Sequence, residues 1–252
     1  MVFNAKGVNA TMDNKNIWDF KWAVLAEYSK KSGGNRWAFS LMKYLLKKIE
    51  IGKGNIVDVG CGIGNKTAVL AEIFPSNVVY GIDFSDEAIG NAQKFYKMPN
   101  LNFLCEDITS FKSPMEKIEM ITTFECLEHI EEWEPVLKTL CNLTDNYIMI
   151  SVPTGRMRPY EKYMGHYRNF QKGEIEKFMK EQGFEKIDVL YAGFPFFSPI
   201  GRNFLNNMGE NGDDMIVTFK PIIHEIIYIL YRFCSFKRIG DQFMGLFKKV
   251  NQ

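Results

Sequence analysis

Residues 55–65, NIVDVGCGIGN, constrain the fold of this 252-residue chain more than any other segment. Ile56, Val57 and Val59 are β-branched, the residue type that suits a parallel strand buried on both faces. Gly60, Gly62 and Gly64 follow at alternate positions, and without a Cβ the backbone there can turn sharply and approach a ligand closely. Residues 65–74 then place apolar side chains at Ala68, Val69, Ala71, Ile73 and Phe74, which predicts a helix. Strand, glycine loop and helix in that order form the setting of a nucleotide-type ligand site.

The dinucleotide fingerprint G-x-G-x-x-G is the first pattern to compare, because its spacing seats a pyrophosphate on the helix N-terminus. Counted from Gly60, its third glycine falls on Asn65; the chain instead reads D-x-G-x-G-x-G from Asp58 to Gly64. The segment resembles motif I of the class I S-adenosylmethionine-dependent methyltransferases. That resemblance implies that Asp58, Gly60, Cys61, Gly62 and Gly64 pass the amino acid and ribose portions of the cofactor.

The segments that follow agree in order. Residues 78–82 read as a second buried strand ending in Asp83 and Phe84. A carboxylate at that strand end, about 20 residues past a glycine loop, accepts hydrogen bonds from two ribose hydroxyls. Ribose alone leaves a nicotinamide cofactor open. Residues 101–106 read as a third strand, and CEDI, with Asp107 and Ile108, resembles the family's adenine-contacting segment. A fourth apolar run, 118–124, ends in FECLEHI; this resembles the family's motif at the mouth of the site and implies that Phe124 and Glu125 lie near the sulfonium and methyl group. Residues 147–152 form a fifth strand, GHYRNF (165–170) precedes an amphipathic helix at 171–182, and Gly183 suits its C-cap before a strand at 184–190. Such alternation predicts an α/β fold with a mostly parallel sheet, helices on both faces and ligands at the C-terminal strand ends. The resemblance specifies a Rossmann-like, doubly wound, seven-stranded sheet whose last strand, 242–250, is antiparallel.

Composition narrows the partners. The net charge is only +1, with acids and bases interspersed, so no nucleic-acid footprint is visible. Five cysteines are odd in number and form no C-x-x-C pair, which suggests a reducing compartment and leaves no metal expected. The polar first 16 residues lack the apolar stretch of a signal peptide, so a cytoplasmic location is the expectation. With no repeat or low-complexity linker, a single domain is expected: a helical cover over 1–54, a cofactor-binding core over 55–192, an acceptor-side insertion over 193–241 and the last strand.

Two regions flank that core. Helices are predicted at 17–29 and 36–49, broken by Gly33 and Gly34, and the family resemblance offers Tyr28 and Arg36 as contacts to the methionine end of the cofactor. In the alternative, Trp18, Trp22 and Trp37 are core aromatics and Arg36 is a solvated charge. GFPFFSPIGRNFLNN, 193–207, reads as a loop or short helix lining an acceptor pocket. Residues 221–234 are apolar on most faces of a helix too short to span a membrane, which favours burial over a dimer, substrate-cap or membrane-interface contact.

Of the three histidines, His129 and His166 lie at ligand-side strand ends and are the candidate general bases, with Tyr167 and Arg168 beside His166 able to bind a hydroxyl or an anion. His224, in the apolar helix, reads as an ordinary interior or surface histidine. Together these features predict S-adenosylmethionine-dependent methyl transfer to a small molecule or sugar acceptor, with oxygen preferred and polysaccharide pathways suggested by the pairing of FECLEHI with GHYRNF. The rivals are an NAD-dependent oxidoreductase, for which YEKYMGHY supplies no Tyr-x-x-x-Lys pair, and a non-catalytic S-adenosylmethionine-binding module.

Overall fold

The computed structural model of the chain describes residues 19, 22, 26, 28, 29, 31–108, 117–209 and 219–250. Trp18 and the polar first 16 residues lie outside the described residues. The strands are β1 (Asn55–Val59), β2 (Val78–Asp83), β3 (Leu101–Cys105), β4 (Ile118–Phe124), β5 (Tyr147–Pro153), β6 (Phe184–Phe194) and β7 (Phe236–Lys249). They form one seven-stranded sheet in the order β3-β2-β1-β4-β5-β7-β6. β1 pairs in parallel with β2 and β4, whereas β7 runs antiparallel between β5 and β6. Chain order therefore reverses beside β1, where successive connections leave for opposite faces and open a crevice at the strand ends.

The side-chain alternation of the strands divides the core between the two faces of this sheet. Ile56 on β1 packs with Leu70, Val79, Met120 and Met149, while Val57 and Val59 pack with Ile121, Leu137, Ile148 and Phe247. Every residue of β4 and β5 is buried, as central strands covered on both sides must be. Each fully buried aliphatic side chain contributes roughly 1.5–3 kcal/mol relative to exposure, so these central strands anchor the loops that follow them.

The helices are α1 (Gly33–Leu46), α2 (Asn65–Ile73), α3 (Asp86–Phe95), α4 (Trp133–Leu143), α5 (Pro159–Tyr163), α6 (Glu174–Glu181), α7 (Arg202–Asn207) and α8 (Pro221–Phe233). α1 corrects the expectation that Gly33 and Gly34 break a helix, since both lie in its first turn. Packing explains the glycine: a Cβ on Gly33 would lie 2.3 Å from the carbonyl oxygen of His224 on α8.

α8 itself departs from the burial expected of it. His224 is the buried residue of this helix, whereas Ile222, Ile226, Ile229 and Phe233 are half-exposed or more. An all-round apolar pattern reports that a helix is apolar, and among the described residues α8 is covered along the side that meets α1 and residues 196–201. β7 also begins six residues earlier than expected, at Phe236 rather than residue 242, because β6 runs on to Phe194 and gives it a partner. No helix among the described residues is long and apolar enough to cross a membrane.

The close crossing of α1 and α8 makes a stability test. Gly33→Ala forces a methyl into backbone and is expected to lower the unfolding free energy by about 1–3 kcal/mol in urea titrations; an unchanged midpoint would show that the two helices separate freely.

Candidate active site

The loop leaving β1 is held from below by a buried carboxylate. Asp58 accepts hydrogen bonds from Thr67 of α2 at 2.6 Å and Thr122 of β4 at 2.7 Å, one on each carboxylate oxygen. Burial pushes its carboxyl up to about 6, against the opposing effect of those two hydroxyls. Asp58 thus braces strand, helix and neighbouring strand, and it does not line the cavity that the loop encloses.

Above it, Gly60, Gly62 and Gly64 adopt φ of +70°, +53° and +77°, the left-handed region that glycine enters without steric cost. Each is also enclosed: an added Cβ would lie 2.4 Å from Cys126 Sγ at Gly60, 3.0 Å from the Trp22 ring at Gly62 and 2.5 Å from the Phe103 ring at Gly64. Cys61 fills space between them, and burial pushes its thiol well above the ordinary range, which keeps it neutral. The Gly62 N–H donates to Asp83 Oδ2 at 2.8 Å, and the Ser85 N–H donates to Oδ1 at 3.0 Å. Asp83 therefore sits at the end of β2, as the sequence predicts, tied to the glycine loop. Its register partner on β3 is Cys105, so Phe84, Asp107 and Ile108 continue from two adjacent strand ends on the same side.

On the far side of the loop lies a cavity of about 360 Å³, lined by Gly60, Cys61, Gly62, Phe124, Glu125 and the histidine pair His129 and His166, among others. This size lies within the range of small-molecule sites. Glu125 turns at φ +53°, a sparsely populated conformation for a side-chain-bearing residue, and strain of this kind concentrates at functional sites. It is held there by its own N–H donating to the Ser151 carbonyl and by Ser151 Oγ and Gln242 Nε2 donating to its carboxylate at 2.6 and 2.7 Å.

His129 ends a 3₁₀ turn, Leu127–His129, and His166 lies in the segment after α5. The Tyr167 N–H donates to the Glu128 carbonyl, and this tie draws the two segments together until the imidazole centroids are 4.7 Å apart, edge to face. Burial lowers the proton affinity of His166, which favours the neutral ring.

Other residues singled out in the sequence take the following places. Arg36 binds Glu225 and lies 4.3 Å over the Tyr228 ring, so it serves the α1–α8 contact and does not line the cavity. Tyr28 is half-exposed and, like Asp83, Phe84, Asp107 and Ile108, is not among the residues that line the cavity. Tyr167 is likewise half-exposed, and Arg168 donates to the Glu131 carbonyl; neither lines the cavity. Trp22 lies against the glycine loop instead of in the core, while Trp37 is buried as expected against Phe197 and Tyr231.

A family model for a methyltransferase domain matches residues 31–189, more than half of the chain. The chain belongs to the methyltransferase domain family. Its similarity to individual relatives is partial: it is 29% identical over 104 residues to the ubiquinone biosynthesis O-methyltransferase of Coxiella burnetii, covering 40% of this chain and 44% of that protein. It is 26% identical over 147 residues to the malonyl-[acyl-carrier protein] O-methyltransferase of Bacillus cereus, covering 58% and 53%. The chain thus spans about half the length of these curated relatives. Among solved structures, the magnesium protoporphyrin IX methyltransferase of Synechocystis PCC 6803 with bound S-adenosylmethionine shares the fold over 96% of this chain and 100% of that one, at 16% identity and a TM-score of 0.59.

Around the cofactor loop of this methyltransferase domain, sequence reasoning missed several residues. Asn65 and Asn35 both donate to Ser29 Oγ, fastening the N-terminal segment beside the glycine loop. Gln242 reaches Glu125 because β7 pairs with β5 in a register that sets it opposite Pro153. Arg202, almost wholly buried, donates to Glu161 and to the Thr154 carbonyl and lines the cavity, which Arg168 does not.

A carboxyl that binds its proton more tightly in the folded than the unfolded state makes stability fall as pH rises, here from its usual 3.8 to about 6. Asp58→Asn removes that contribution. The stability of the variant, followed by urea unfolding between these pH values, is expected to decline less than that of the parent; parallel curves would contradict the assignment.

Proposed function

We propose that the protein transfers the methyl group of S-adenosylmethionine to an oxygen atom of a small-molecule acceptor. The observation that carries this reading is the continuity of the glycine cradle with the Glu125–His129–His166 end within one cavity. The residues fit the donor. The loop admits close approach because no Cβ stands in the way, and each Asp83 oxygen, already accepting one backbone N–H, keeps acceptor capacity for ribose hydroxyls. The adjacency of β3 to β2 supports Asp107 and Ile108, just past the end of β3, as the adenine contacts.

When bound, S-adenosylmethionine supplies a methyl group already activated by its sulfonium. The chain has to hold the acceptor in line at about 3–3.5 Å and exclude water. Trp37, Phe124, Phe197 and Tyr231 give the cavity aromatic walls against which a ring can lie, whether aromatic or sugar. Oxygen is preferred over nitrogen because the curated relatives above are O-methyltransferases by name, and because a histidine pair at the acceptor end suits a hydroxyl that must lose its proton.

Transfer of labelled methyl from S-adenosylmethionine to pools of hydroxylated aromatics, acids and sugars tests the reaction, with labelled product expected only in the presence of one such class. Asp83→Ala removes charge-assisted hydrogen bonds and is expected to weaken donor binding by roughly 10–100-fold in calorimetry, from about 1.5–3 kcal/mol lost. Correctly folded parent protein that gives no heat with the donor would overturn the proposal.

A further inference from the structure

Glu128 stands apart from the other acids of the pocket. It is wholly buried, and neither carboxylate oxygen has a hydrogen-bond partner among the described residues. An unpartnered buried carboxylate is costly, and native structures retain one only where something compensates it. Its oxygen and one ring nitrogen each from His129 and His166 all lie within 4.8 Å of one another.

Both rings are held through Nδ1. His129 Nδ1 faces the Gly165 carbonyl at 3.2 Å, and His166 Nδ1 faces Asn169 Oδ1 at 3.4 Å. Those acceptors assign the proton to Nδ1 of each ring. Asn169 is itself held, its Nδ2 donating to Glu161 at 3.3 Å.

We propose that Glu128, His129 and His166 bind one divalent first-row transition-metal ion at the acceptor end of the pocket. Two imidazoles and one carboxylate suit Zn²⁺, Mn²⁺, Fe²⁺ or Co²⁺ better than Mg²⁺, which prefers oxygen ligands and its own waters. Three protein ligands leave coordination positions open toward the cavity. The ion's use rests on the methyl-transfer reading above: beside a Lewis acid the acceptor hydroxyl gives its proton to water more readily. The oxygen–carbon bond then forms, the carbon–sulfur bond breaks, and the sulfur keeps the electron pair. His129 and His166 act in this account as ligands, and the proton goes to solvent. The five scattered cysteines lie outside this cluster.

Chelator-treated full-length chain is titrated with Co²⁺ alone, following visible absorption and, by equilibrium dialysis, stoichiometry. One Co²⁺ per chain is expected. His166→Ala, on an irregular segment, is expected to weaken binding by more than about 100-fold, beyond the 10–100-fold expected when Asn169→Ala removes only the ring's support. Glu128→Gln should act as His166→Ala does, with circular dichroism and melting reporting its fold; if it does not fold, His166→Ala decides. Binding below stoichiometry by the parent, unchanged binding by His166→Ala, or thiolate-to-cobalt charge-transfer absorption, which would place the ion on cysteines, overturns the proposal. Donor binding measured separately without metal distinguishes this failure from failure of the methyl-transfer reading.

Discussion

Immediately after β1 the backbone must leave a strand buried on both faces, clear the end of the sheet and enter a helix within five residues. Only left-handed turns accomplish this, and three glycines in that region make the path available without the strain another residue would bear. The close contacts with Cys126, Trp22 and Phe103 show that the loop is enclosed as well as bent. Its position in turn depends on Asp58 below and Asp83 beside it. One carboxylate ties the elements together through side-chain hydroxyls, and the other receives a loop N–H directly. Two acids that look alike in sequence thus have different surroundings: Asp58 joins β1, α2 and β4 through hydroxyls, and Asp83 receives the backbone of the glycine loop.

The end of the cavity around the histidine pair is assembled from segments remote in sequence. β4 delivers Glu125 and the turn carrying Glu128 and His129; the segment after β5 delivers His166; α7 delivers Arg202; β7 delivers Gln242. What brings them together is the sheet order, with β4, β5 and β7 adjacent. The strained backbone of Glu125 marks the point where the strand end is bent toward the cavity, with Ser151 and Gln242 holding it in place. The buried Arg202–Glu161 pair stabilises the wall behind, and Glu161 also supports Asn169 beside His166.

Much of this was legible in the sequence because it is local. The β-branched run before Gly60, the spacing of the glycines and the acid at position 83 each follow from rules that act over a few residues, and the structure places them accordingly. The converging of His129 and His166 was legible only as two strand ends on the same side. Long-range contacts were not. Arg36 read as a free basic residue near a ligand because nothing in its neighbourhood announces Glu225 and Tyr228, 189 and 192 positions away. Gln242 carried no signal at all, since its role is set by the register of β7 on β5. The apolar pattern of α8 showed which residues avoid water without showing whether the fold has enough surface to cover them, and Ile222, Ile226, Ile229 and Phe233 stay exposed.

The central claim is that one cavity joins a donor-binding cradle to an acceptor end built on Glu128, His129 and His166. A crystal structure with S-adenosylhomocysteine bound tests it most directly. The account predicts the ribose hydroxyls on Asp83, the homocysteine chain along Gly60 and Gly62, and the sulfur facing the histidine pair. Density for the ligand elsewhere, or a sulfur turned away from His166 with the protein wall between them, would contradict it.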